Sequence, residues 1–123
     1  MRSLSTDTSA AALGVDRKTL DNLLSREAKS LVPNGSRGRS RRISIAVLER
    51  LAITLVLQRD LGVGVAMGLD LAARILESAS NSTNIGTLGT LRFDAGRLRK
   101  ALEHSVDEAL ESVPERPRGR PRS

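Results

Sequence analysis

Residues 5–24 read STDTSAAALGVDRKTLDNLL, and this stretch decides the fold. Thr6 to Leu13 favours a short helix, with Ser5 or Thr6 placed to cap its first turn. Gly14 ends it, because glycine enters the left-handed conformation that a sharp turn requires. Asp16 can cap a second helix, Arg17 to about Ala28, which carries Leu20, Leu23 and Leu24 on one face. Two short helices joined by a three-residue turn containing glycine describe a helix-turn-helix. Ala10 lies four residues before Gly14, at the crossing of the two helices, where only a small side chain fits. Leu13, Val15, Leu20 and Leu23 supply the apolar contacts of such a motif. The outer surface of the second helix is left with Arg17, Lys18, Thr19, Asp21 and Asn22. Short polar and basic groups near a helix N-terminus suit readout of base edges in the major groove. An ordinary helical hairpin with a solvated face would carry the same pattern.

The next segment separates the two. Leu31-Val32-Pro33 is followed by Asn34-Gly35-Ser36-Arg37-Gly38-Arg39-Ser40 and then Arg41-Arg42-Ile43-Ser44. Asn-Gly between two candidate strands is a strong hairpin signal. Arg37, Arg39, Arg41 and Arg42 fall within nine residues that hold no acid, so the hairpin is a basic wing able to straddle a phosphate backbone. Ser44 can cap a helix from Ile45 to about Leu61, apolar on most of its circumference and thus buried on more than one side. That helix is the expected spine for the first two. Gly62 and Gly64 break it, and a further helix, about Val65 to Ser78, presents Met67, Leu69, Leu71, Ala72, Ile75 and Leu76.

At this point the sequence resembles the DNA-binding domain of the MerR and excisionase-like winged-helix family. The matching residues are Ala10-Ala11-Ala12-Leu13-Gly14-Val15-Asp16, Thr19-Leu20 and Leu31-Val32-Pro33. The Arg-rich wing and the stretch from Val47-Leu48-Glu49-Arg50-Leu51 through Leu61-Gly62-Val63 follow in the family's order. The resemblance spans roughly residues 5–78 and implies a winged helix-turn-helix that binds double-stranded DNA. The family's usual aromatic residues after the recognition helix and at the end of the wing are missing, and the stretch between Thr19 and Leu31 is longer.

Residues 78–90, SASNSTNIGTLGT, read as a polar linker, and Thr90 to Phe93 as a short strand. Asp94 caps a last helix to about Val113, with an apolar stripe of Leu98, Ala101, Leu102, Val106, Ala109, Leu110 and Val113. The stripe either packs back on the domain or pairs with a second copy in a homodimer. His104 lies off it, as a surface residue, and Pro114 stops the helix. The tail Arg116-Pro117-Arg118-Gly119-Arg120-Pro121-Arg122 is similar to an AT-hook, whose core is Pro-Arg-Gly-Arg-Pro. Proline keeps such a chain extended and glycine lets it sink into a groove. Arg118 and Arg120 then point along the narrow minor groove of A·T-rich DNA, with Arg116 and Arg122 on flanking phosphates.

Composition agrees. Of 123 residues, 19 are Leu and 13 Ala, with one Phe and no Trp or Tyr, which favours a mainly helical core. The absence of Cys and the single His exclude a disulfide scaffold, a thiolate or histidine metal centre and a cysteine nucleophile. The net charge of +6 divides as +5 over residues 1–62, −2 over 63–112 and +3 over 113–123, so the positive field comes from the two ends. Seventeen of the 20 basic residues are Arg, which suits bidentate contacts to phosphates and guanine edges, although a GC-rich genome would give the same preference. The longest apolar run, Ile43 to Leu57, contains Glu49 and Arg50 and falls short of a membrane span of roughly 20 residues.

The expected architecture is mainly α. It comprises a winged helix-turn-helix with a small β-hairpin wing over residues 1–78, a C-terminal helical extension over 79–113 and a basic tail over 114–123. No phosphate-binding loop with Lys, paired-His motif or nucleophile elbow is present, so neither an enzyme nor a cofactor is expected. The leading expectation is a cytoplasmic, nucleoid-associated regulator that binds double-stranded DNA, a repressor of bacterial or phage type such as an immunity repressor. An excisionase-like factor that bends DNA for a recombinase is the first alternative. A protein-interaction adaptor anchored to DNA is the second.

Overall fold

The computed structural model describes residues 3–26, 42–87 and 89–112. It is mainly helical: strand β1 (Ser3–Leu4), α1 (Thr6–Leu13), α2 (Arg17–Arg26), β2 (Ile43–Ser44), α3 (Ile45–Leu61), α4 (Val65–Glu77), β3 (Ser82–Ile85), β4 (Gly89–Arg92) and α5 (Ala95–Ser112). Three of the helix starts follow from a local cap. Ser5 rather than Thr6 opens α1, its hydroxyl accepting from the Thr8 N–H at 3.2 Å. Ser44 does the same for α3 through Val47 N–H at 3.2 Å, and Asp94 for α5 through Arg97 N–H at 3.0 Å. Gly14 (φ 74°) and Gly62 (φ 68°) close α1 and α3 in the left-handed conformation. At the end of α3, Arg59 donates to Asp60 at 2.9 Å and holds that carboxyl below its usual range.

The core has two adjoining clusters. The first gathers Leu4, Ala10, Ala12, Leu20, Leu23, Leu24, Ile43, Leu48, Leu51 and Leu69 with Leu102, Val106 and Ala109 of α5. The second gathers Ile53, Leu57, Leu71, Ala72 and Ile75, with Leu91, Phe93 and Leu98 against it. Helix α3 runs through both, which its nearly all-round apolar surface anticipates. It serves as spine mainly for α4, however, and α1 packs chiefly against α5. The reason lies in the side chains. Helix α1 buries Thr6, Thr8, Ser9, Ala10 and Ala12, all small, and lets α5 come close. On the other side Gly68 of α4 meets Thr54 of α3, and a Cβ on Gly68 would sit 3.0 Å from the Thr54 methyl. Across the same seam Arg50 Nε donates to the Leu69 carbonyl at 2.9 Å.

Three expectations need correction. Residues 78–90 are not a linker throughout, because Ser82–Ile85 pairs antiparallel with Gly89–Arg92 in a hairpin, register Ser82 to Arg92 and Ile85 to Gly89. Asn81 sets its entry in a left-handed conformation (φ 52°), its amide donating to the Ile75 carbonyl at 3.2 Å. The strand Ile43–Ser44 pairs with an N-terminal strand, Ser3–Leu4, that sequence reasoning did not anticipate. Met67 is exposed, since it lies opposite the buried stripe Gly68, Leu69, Leu71, Ala72 and Ile75. Of the two roles open to the α5 stripe, Leu102, Val106 and Ala109 take the first and pack within the chain, while Ala101 is exposed.

Candidate nucleic-acid interface

Helix α2 divides its surface as amphipathic spacing requires. Leu20, Leu23 and Leu24 are buried in the first core cluster, while Arg17, Lys18, Thr19 and Asn22 are exposed and Asp21 is half-buried. The turn that aims it is rigid. Gly14 N–H and Val15 N–H donate to the Ala11 and Ala10 carbonyls at 3.2 and 3.0 Å, and Ala10 is buried at the crossing. Leu13 and Val15 are partly buried against the same cluster.

Arg17 is not an unengaged cation. Its Nη1 lies 3.1 and 3.2 Å from the two Asp7 carboxylate oxygens, and its Nε lies 3.5 Å from Asp21. Two carboxylates flank one guanidinium. Lys18 is therefore the cation of the α2 face that enters no ion pair among the described residues. Asp7 was not among the residues expected at the site. It sits ten positions before Arg17 across a turn, and no sequence spacing announces such a contact.

Of the wing residues, Arg42 lies within the described structure. Its Nη2 donates to the Ser3 carbonyl at 2.9 Å and its Nε to Ser3 Oγ at 3.4 Å, so it ties β1 to the residue just before β2. Arg37, Arg39 and Arg41 fall outside the described residues, as do Arg116, Arg118, Gly119, Arg120 and Arg122 of the tail. No protein-family model, curated protein or solved structure matches the chain. Its chemistry is accordingly read from its own side chains. Among the described residues, no group of three or more His, Cys, Asp or Glu is placed to hold a metal ion. No described helix is long and apolar enough to cross a membrane.

Proposed function

We propose that the chain is a sequence-specific double-stranded-DNA-binding transcription regulator, a repressor that acts by occupying promoter DNA. One observation carries the reading: α2 buries Leu20, Leu23 and Leu24 and presents Lys18, Thr19 and Asn22 outward from a close-packed support. Lys18 and Asn22 are four residues apart and share one face of the helix. In the major groove the Asn22 amide pairs with an adenine edge and Lys18 with guanine O6 and N7. Thr19 donates to a phosphate oxygen. Arg17 joins the interface when a phosphate or guanine displaces Asp7, a cheap exchange for so exposed a pair.

The winged architecture belongs to the same proposal. On this reading the segment between α2 and α3 is the basic wing, with Arg37, Arg39 and Arg41 as its phosphate contacts, and it ends at Arg42, which donates to the Ser3 carbonyl. Arg118 and Arg120 of the tail enter an adjacent minor groove. The test is selection of duplexes from a random-sequence pool, followed by affinity measurements for Lys18→Ala and Asn22→Ala. Each variant should lose about 1–3 kcal/mol on the selected site and much less on random DNA. Equal losses on both would reduce α2 to a phosphate contact. A pool that yields no preferred sequence would sink the proposal.

A further inference from the structure

The hairpin β3–β4 and the start of α5 carry a concentration of charge that the α2 reading does not use. Residues 92–100 contain Arg92, Arg97, Arg99 and Lys100 against the single acid Asp94. Asp94 turns its carboxylate onto the Arg97 backbone N–H at 3.0 Å, and Arg99 pairs with Glu49 at 2.9 Å. Arg92, Arg97 and Lys100 are exposed and, among the described residues, enter no ion pair.

Their placement runs against helix electrostatics. Arg97, Arg99 and Lys100 occupy the first two turns of α5, whereas Glu103, Asp107, Glu108 and Glu111 follow towards its end. A helix is stabilised by the opposite order, because its N-terminus is the positive end of the dipole. The arrangement therefore does not serve the stability of α5, and of its cations Arg97 and Lys100 enter no ion pair among the described residues. Arg97 and Lys100 lie on the face of α5 opposite Leu98, Leu102 and Val106, which point into the core. On the hairpin, Leu91 packs inward, so the alternation of a strand puts Arg92, Thr90, Ser82 and Asn84 on the other side. Thr90 Oγ1 donates to Asn84 Oδ1 at 3.2 Å, leaving the Asn84 amide N–H groups as donors.

We infer that this surface, Arg92, Arg97 and Lys100 with Asn84 on the hairpin face of Arg92, is a second contact for the phosphate backbone of duplex DNA, on a stretch beside the one α2 reads. The inference rests on the DNA-binding reading above. Cations interleaved with Ser, Thr and Asn match phosphate oxygens, and the apolar side chains opposite them on α5 are held in the core rather than free to enter a membrane. Leu91, Phe93 and Leu98, neighbours of Arg92 and Arg97 in the chain, pack on the second core cluster, whereas α2 packs on the first. Helix α3, 17 residues long, joins the two clusters and spans about 25 Å, less than one turn of duplex at about 34 Å.

The test uses the full chain and a fluorescent duplex of mixed sequence, so its outcome does not depend on any base readout by α2. The triple variant Arg92→Ala, Arg97→Ala, Lys100→Ala should lower the slope of log K against log salt by about 0.9 for each phosphate it no longer neutralises. The control Arg59→Ala, Arg74→Ala removes two cations that are already paired with Asp60 and Asp70, and should keep the wild-type slope. A charge-retaining variant, Arg92→Lys and Arg97→Lys with Lys100 intact, should keep it as well. Unchanged thermal melting and circular dichroism show that each variant is folded. A wild-type slope for the triple variant overturns the inference and leaves the sequence preference of α2 standing. An unchanged slope together with abolished binding to vesicles of anionic lipid overturns it too, and assigns the surface to a membrane.

Discussion

At the scale of single residues, the most informative contact is Arg17 between Asp7 and Asp21. The sequence makes Arg17 a base-reading candidate, and its position on the exposed face of α2 agrees with that. What one sequence cannot convey is that a carboxylate from the preceding helix reaches it at 3.1 Å. The two side chains are 59% and 50% exposed, so the pair contributes no more than about 1 kcal/mol to stability. Asp7→Ala should therefore leave the melting temperature nearly unchanged while it tightens binding to mixed-sequence DNA and steepens its salt dependence. Anisotropy titrations over a salt series check this, and weaker binding by the variant would mean that Asp7 orients Arg17 for DNA rather than restrains it. Ser9 offers a cleaner stability experiment. Its hydroxyl is fully buried, with no hydrogen-bond partner among the described residues. An unsatisfied buried hydroxyl costs about 1–3 kcal/mol, and Ala is the better helix former. Ser9→Ala should stabilise the protein by about 1 kcal/mol, raising the melting temperature by about 4–8 °C in calorimetry.

At the scale of elements, what could be read from sequence divides along physical lines. Four helices of the described structure were legible from capping residues and apolar period: α1 with Gly14, α3 between Ser44 and Gly62, α4, and α5 behind Asp94. The start and apolar face of α2 were legible in the same way. The two strand pairs were not. Ser3–Leu4 and Ile43–Ser44 contribute two residues each, too few to show an alternation, and their partnership links chain positions nearly forty residues apart. Of hairpin β3–β4, the second strand was legible as the expected Thr90 to Phe93, whereas the first strand and the pairing were hidden by composition. The outward positions Ser82 and Asn84 are polar, and the inward face relies on Leu91, so Ser82–Ile85 reads as polar loop. The close approach of α3 and α4 was invisible as well, since Gly68 looks like a flaw in a helix until Thr54 is found against it. Thr54 cannot swing away freely, because it is buried and its hydroxyl donates to the Arg50 carbonyl at 2.8 Å. Gly68→Ala gains about 1 kcal/mol of helix propensity against that contact and should be nearly neutral. Gly68→Val adds two further methyl groups at the seam and should destabilise by about 1–3 kcal/mol, measurable by urea denaturation. A neutral Gly68→Val would mean that α3 and α4 separate easily.

At the scale of the whole molecule, the buried side chains run from Leu4 to Ala109, so every described core contact is made before the tail begins. The tail is in turn strongly basic, with four Arg and no acid in residues 116–122. Deleting residues 115–123 should accordingly leave the melting temperature and the preferred core sequence as they are. Its effect belongs to affinity. In the proposed complex Arg118 and Arg120 follow α5 closely in sequence, and a contact made by a chain already on DNA gains from high effective concentration, so even a weak groove contact adds substantially to binding. That gain depends on the flank, because A-tracts have the narrow minor groove and the enhanced negative potential that draw arginine in. Affinities of the full chain and the truncation should therefore differ most on sites with A·T-rich flanks and least on G·C-rich ones. The same comparison at two salt concentrations separates groove insertion from simple charge. A generic basic tail would lose equally on both flanks, and its loss would vanish on both as salt rises. An AT-hook keeps the difference between flanks, because minor-groove width is a property of the DNA that salt does not erase.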